Sequence, residues 1–210
     1  MRKITAFTLL LLLKLSAGAQ INFDVSTWET GIHQNMLITN LTFSVGKSPS
    51  ELKYYVFTSA EWTLTDNWGI EGGLFFNVGS SEKDVIPLLN TCCAVDPQTE
   101  DYYTHNLFFG PNYHFLTRKR VDFYVGVHPG LQLFTAPAFT YANTDGGSVD
   151  VERNYGISPA ASFQTGLAYY AKFFHAFLNT RYVLGRHDSA LYEGKFNEMR
   201  FMLGLGFNLF

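Results

Sequence analysis

"VDFYVGVHPGLQL" (Val121–Leu133) separates by parity. Odd positions carry Val121, Phe123, Val125, Val127, Pro129, Leu131 and Leu133. Even positions carry Asp122, Tyr124, Gly126, His128, Gly130 and Gln132. One face is wholly apolar and the other is polar or small. Alternation with period two is the mark of a β-strand, and the stretch exceeds the nine to eleven or so residues that cross a bilayer at a tilt.

The same split recurs outward from this segment. Tyr103–Phe115 sets Leu107, Phe109, Tyr113 and Phe115 against Asn106, Gly110, Asn112 and His114. Trp68–Val78 and Leu37–Val45 follow the same rule, and weaker versions run over Lys53–Leu64, Pro159–Tyr170, Phe173–Leu184 and Phe196–Leu209. Eight strands result. Tight connections at Asp66-Asn67, Thr117–Arg120 and Ala171-Lys172 alternate with long ones at Gly79–Asp101 and Ala136–Ser158, an intermediate one at Arg186–Gly194, and a short first loop at Lys47–Leu52. Short turns at one end and longer loops at the other is the plan of an outer-membrane barrel. Gln20–Asn35 is left over, as a lead-in or a lengthened first strand.

A soluble sandwich buries the apolar face; a small barrel turns it to lipid and fills its lumen with polar and small side chains. Aromatic residues gather beside the tight turns: Trp62 and Trp68, Tyr113, Phe115 and Phe123, Tyr169, Phe173 and Phe174. That is the distribution of an interfacial girdle. The expected fold is therefore all-β: an eight-stranded antiparallel up-and-down transmembrane barrel.

The chain opens with Arg2 and Lys3, a short apolar run from Ile4 to Leu15, and "SAGA" (Ser16–Ala19). A basic start, a short apolar core and an Ala-x-Ala-like site describe a secretory signal peptide. We expect residues 1–19 to be removed and residues 20–210 to form the barrel. Removal takes three basic residues and no acidic one, so the net charge falls from −3 to −6, twelve basic against eighteen acidic residues. That is no electrostatic footprint for nucleic acid.

The segments Asp66–Gly79, Val121–Phe134, "LNTRYVLGRHD" and the closing "MRFMLGLGFNLF" resemble the small outer-membrane β-barrel domain family abundant in Bacteroidetes, similar in plan to the OmpX and OmpA barrels. The resemblance implies an integral protein of a Gram-negative outer membrane, surrounded by lipid and lipopolysaccharide. Some relatives serve in secretion or adhesion. A terminal aromatic, here Phe210, resembles the signal by which the barrel-assembly machinery recognises its clients. Phe201, Leu203, Leu205, Phe207 and Leu209 share the apolar face, so strict alternation turns Phe210 inward; a bulge near Asn208 or a frayed last residue would restore the usual pattern.

Strand parity places Glu61, Glu71, Asp122, Arg181, Glu198 and Arg200 inward as a lumen charge network. Hairpin register about Asp66-Asn67 sets Glu61 opposite Glu71, where like charges repel. Either one carboxyl holds a proton or a cation sits between them, and Arg181 or Arg200 is expected to bridge the two. Eight strands leave room for side chains rather than a channel. His114, His128 and His175 point inward without metal-ligand spacing, so no metal or cofactor is expected. His187 and Ser189 in "GRHDSALYEG" look loosely similar to a lipid A deacylase barrel, with Glu193 or Glu198 as the acidic partner of a hydroxyl nucleophile. However, Ala190 stands where that family carries Asn, and the stretch reads as a loop. Cys92 and Cys93 are adjacent in a long connection; export favours oxidation, as a vicinal disulfide or a bond to another chain, while free thiols stay open.

Overall fold

The computed structural model describes residues 31–48, 52–80, 103–136, 139–142, 148–188 and 193–209. Its strands are β1 (Leu37–Lys47), β2 (Leu52–Thr63), β3 (Trp68–Ser80), β4 (Tyr103–His114), β5 (Val121–Ala136), β6 (Phe139–Ala142), β7 (Ser148–Val151), β8 (Asn154–Tyr170), β9 (Phe174–Asp188) and β10 (Glu193–Leu209). Eight of them close in the order β1-β10-β9-β8-β5-β4-β3-β2, every pair antiparallel. β6 and β7 form a separate two-stranded ribbon. The fold is the closed, up-and-down eight-stranded barrel that the alternation predicts, and closure leaves no free sheet edge in its wall.

The strands at the long-loop end outrun the expected bounds. β9 continues to Asp188 and β10 starts at Glu193, so most of Arg186–Gly194 is strand rather than loop. The long connection Ala136–Ser158 likewise contains β6 and β7. Ala136 pairs with Asn154 and Phe139 with Val151, so the ribbon keeps the same register as the β5–β8 hairpin while remaining a separate sheet. At Arg186–Asp188 and Glu193-Gly194 the polar, charged composition hides the strand character, whereas β6 and β7 are runs of only four residues set among turn signals at Pro137 and Asp145-Gly146-Gly147.

Parity decides what each side chain meets. Phe43, Leu203 and Phe207 point outward with 76%, 74% and 63% of their surface exposed, and comparable residues ring the wall on every strand. A soluble protein does not leave a continuous apolar band of this extent in water; hydrocarbon is the solvent it fits. Inward positions are buried, but they are not only polar and small as expected. Tyr55, Phe57, Phe75, Phe108, Tyr124, Phe134, Tyr170 and Phe177 are inside too. Volume explains the correction: polar residues alone leave voids, and several rings lie over inward glycines of the next strand, Phe134 over Gly156 and Tyr124 over Gly166.

At the tight-turn end, Thr65 Oγ1 accepts the amides of Asn67 and Trp68 at 3.3 and 3.0 Å, fixing the β2–β3 turn. Asn67 then donates its side-chain amide to the His114 carbonyl at 2.8 Å, tying that turn to β4. Residues 31–36 are a lead-in, not an extension of β1. Gly31, in the left-handed region at φ 99°, packs against the backbone of Lys119. Thr63 clasps the segment: its hydroxyl donates to the His33 carbonyl at 2.5 Å and accepts the Met36 amide at 2.7 Å. Asn35 donates to the Thr63 carbonyl at 2.8 Å, and Arg118 donates its amide to the Ile32 carbonyl at 3.2 Å. Ile32 and Met36 are fully buried across this mouth of the barrel.

Two prolines interrupt one seam. β4 and β5 pair up to Phe108↔Gly130 and again from Asn112↔Gly126, with Pro111 and Pro129 in the stretch between. Proline has no N–H to give the ladder. By contrast every residue of β1 has a partner in β10. In hydrogen exchange, the amides of Phe109 and Val127, which face this seam between the prolines, are expected to exchange before those of the β1–β10 seam; protection equal at both seams would show that the prolines do not weaken the wall.

The last strand runs in register to its end. Leu37↔Leu209, Ile38↔Asn208 and Thr39↔Phe207 are consecutive pairs, so of the two alternatives the bulge near Asn208 does not form, and the frayed last residue concerns Phe210, outside the described residues. Asn208 points inward and holds its place with hydrogen bonds to His175 at 2.7 Å and to the Ala171 carbonyl at 3.2 Å. Phe210, Cys92, Cys93, Ser189 and residues 1–19 lie outside the described residues.

Candidate functional site: the lumen

The site is built by the inward face of every wall strand. Glu61 of β2 and Glu71 of β3 are direct cross-strand partners. No single arginine bridges them, contrary to expectation; each carboxylate has its own cation. Glu61 meets His114 Nε2 at 2.8 Å, and His114 Nδ1 meets Asp122 at 2.6 Å. Leu116 donates its amide to the other Asp122 oxygen at 3.0 Å. Both imidazole nitrogens face carboxylate oxygens, so the three groups share two protons and together carry a charge of −1.

Glu71 reaches across the barrel instead. Arg181 of β9 donates Nη2 to Glu71 Oε1 at 3.0 Å. Glu71 Oε2 accepts the side-chain amides of Asn112 at 3.0 Å and Gln164 at 2.5 Å. Gln164 also donates to Asn112 Oδ1 at 2.7 Å and accepts from Arg181 and Asn179. His128 Nε2 stands 3.5 Å from Glu71, beyond a good hydrogen bond. The pair is a link across the lumen, held by strands that are not neighbours.

Nearer the long-loop end, Arg200 donates Nε to Glu198 at 2.6 Å and Nη2 to Asn106 at 2.6 Å, and Tyr55 donates its hydroxyl to Glu198 at 2.8 Å. Arg181 and Arg200 are cross-strand partners, yet their guanidiniums do not meet bare. Phe75 lies between them, 5.3 Å from one and 4.5 Å from the other, and Tyr55 covers Arg200 at 4.0 Å. Arg181 Nε and Nη1 and Arg200 Nη1 have no hydrogen-bond partner among the described residues, so ring faces hold these cations by cation–π attraction.

Among the described residues the buried charges balance. The carboxylates of Glu61, Glu71, Asp122 and Glu198 stand against Lys53, Arg181, Arg200 and the shared proton at His114. A cavity of about 20 Å³ lies between Glu61, Glu71, His114, Tyr124 and Gln164, room for one water. Among the described residues no cluster has the make-up of a metal site. All six residues of the expected network are inward and at most 4% exposed.

Parity also places Lys53, Tyr55, Asn112, His114 and Gln164 inside, but their partners lie across the lumen, where register arithmetic is silent. Of the enzyme pairing, His187 lies in β9 opposite Gly194, and Ser189 lies outside the described residues.

No protein-family model matches the sequence, and no curated protein matches it. Solved structures do. The N-terminal β-barrel domain of Pseudomonas aeruginosa OprF covers 84% of this chain with 98% of its own, at 18% identity and a TM-score of 0.51. The outer-membrane protein OprG of the same organism covers 85% with 98% of its own, at 12% identity and a TM-score of 0.54. Sequence identities this low speak for architecture alone. The chain has the fold of the small outer-membrane β-barrels.

Proposed function

We propose that this protein is an integral outer-membrane barrel of a Gram-negative bacterium, of the kind abundant in Bacteroidetes, whose lumen is plugged by its own side chains. It acts through what it presents at the long-loop end, in a structural, adhesion or binding role. Residues 1–19 serve as its signal peptide, the strand ending in Phe210 as its address for the assembly machinery, and Cys92-Cys93 as a surface disulfide. The tight turns face the periplasm.

The observation that carries the plug is the Glu71–Arg181 pair, which spans the lumen at 3.0 Å with Phe57, Phe75 and Phe108 packed about the guanidinium. A solute crossing the barrel must break a buried ion pair and displace three rings. Planar bilayers containing the purified protein test it. No stepwise conductance is expected. Steady single-channel steps, abolished when the protein is omitted, would make the barrel a narrow pore instead.

A further inference from the structure

The two ends of the barrel carry opposite charge. The tight connections 64–67, 115–120 and 171–173 hold Arg118, Lys119, Arg120 and Lys172 against one acid, Asp66. Arg118 spends its charge on Asp66 at 2.9 Å. Lys119, Arg120 and Lys172 are exposed and make no ion pair among the described residues. The connections 48–51, 81–102 and 137–153 at the other end hold nine acidic residues and two basic ones.

The fold gathers the three cations. Tyr170 donates its amide to the Arg120 carbonyl at 2.6 Å, joining the 115–120 turn to the 171–173 turn. The register Val121↔Tyr169, continued past the strand ends, sets Lys119 beside Ala171 and Lys172 one residue on. Just inside this rim lies the aromatic band. Trp68, Tyr113, Phe115 and Phe123 form a run of ring contacts at 5.0, 4.9 and 5.3 Å, and Tyr169 and Phe173 are each 49% exposed beside it. Aromatic rings of this kind settle at the headgroup level of a bilayer. The cations therefore stand at the depth of lipid phosphate.

We propose that the tight-turn end of the barrel binds anionic phospholipid headgroups through Lys119, Arg120 and Lys172. The proposal rests on the membrane-spanning reading above. An anionic polymer free in solution meets a chain of net negative charge, which opposes its approach. Headgroups held in the bilayer are already within a Debye length of the three cations. The contact anchors that end in its leaflet and draws acidic lipids around it.

The mature chain with Trp28→Phe, reconstituted in phosphatidylcholine vesicles, provides the test. Trp62 and Trp68 then report from the tight-turn end, quenched by brominated phosphatidylglycerol or by brominated phosphatidylcholine at equal mole fraction. At low salt the acidic lipid is expected to be favoured at least fivefold, since each cation near a lipid surface contributes roughly a factor of five. The preference should fall toward unity in K119S/R120S/K172S and, with no substitution, in high salt. Equal quenching by both lipids, or a preference that survives high salt, overturns the proposal. So does its loss to millimolar glycerol phosphate, which marks a site for free phosphate. Quenching by neither lipid overturns the membrane reading itself.

Discussion

Replacing Arg181 with methionine is expected to lower the unfolding free energy by about 3–5 kcal/mol, the cost of leaving a buried charge without its partner. Arg181 is fully buried and Glu71 is 4% exposed, so neither can turn to water when the other is lost. Glu71 keeps its amide donors from Asn112 and Gln164, but these carry no charge to balance it. The double variant R181M/E71Q is expected to regain most of the loss, because it removes both ions and keeps the shape of the glutamate. Urea titrations of tryptophan fluorescence in lipid vesicles measure all three chains. A loss below about 1 kcal/mol, the range of exposed pairs, or a double variant no better than the single one, shows that the pair is not the strut of the lumen.

Gly110→Ala is expected to cost about 3 kcal/mol or more, at the top of the range for overpacking. A Cβ there would press into the Val127 carbonyl oxygen and come within 2.9 Å of the His128 Cα. Both are backbone, so no side chain can swing away, and only separation of β4 from β5 relieves the clash. That seam already lacks the ladder donors of Pro111 and Pro129. Gly79→Ala is the control, since nothing stands within 4 Å of a Cβ at that position; its effect should stay within about 0.5 kcal/mol. The folded fraction follows from the mobility of unheated samples on gels. Equal effects at the two glycines would mean that β4 and β5 are not pressed together at Gly110.

Parity carries far in this chain because a barrel wall has only two sides. It places Asp122, His128 and Gln132 inward on β5 and sets Glu61 against Glu71, all from position and turn length. It cannot place partners across the lumen. His114 and Asp122 flank one turn, but Gln164 and Glu71, on β8 and β3, meet only because the sheet closes at a particular tilt. Arg181 illustrates the limit. Its inward face is legible; its choice of Glu71 over Glu61 depends on His114 having already filled the space beside Glu61. The ribbon β6–β7 escaped for another reason: its strands are four residues each and sit among the turn signals Pro137 and Asp145-Gly146-Gly147, so the stretch reads as loop.

The lead-in clasped by Thr63 changes what kind of vessel the barrel is. With Ile32 and Met36 laid across the tight-turn mouth, the interior has a floor before the Glu71–Arg181 strut is even reached. Anything entering from the long-loop side would have to leave by the way it came. Under the plugged reading proposed above, the lumen is a blind well rather than a pipe, and a substitution that opens the strut deepens the well without draining it.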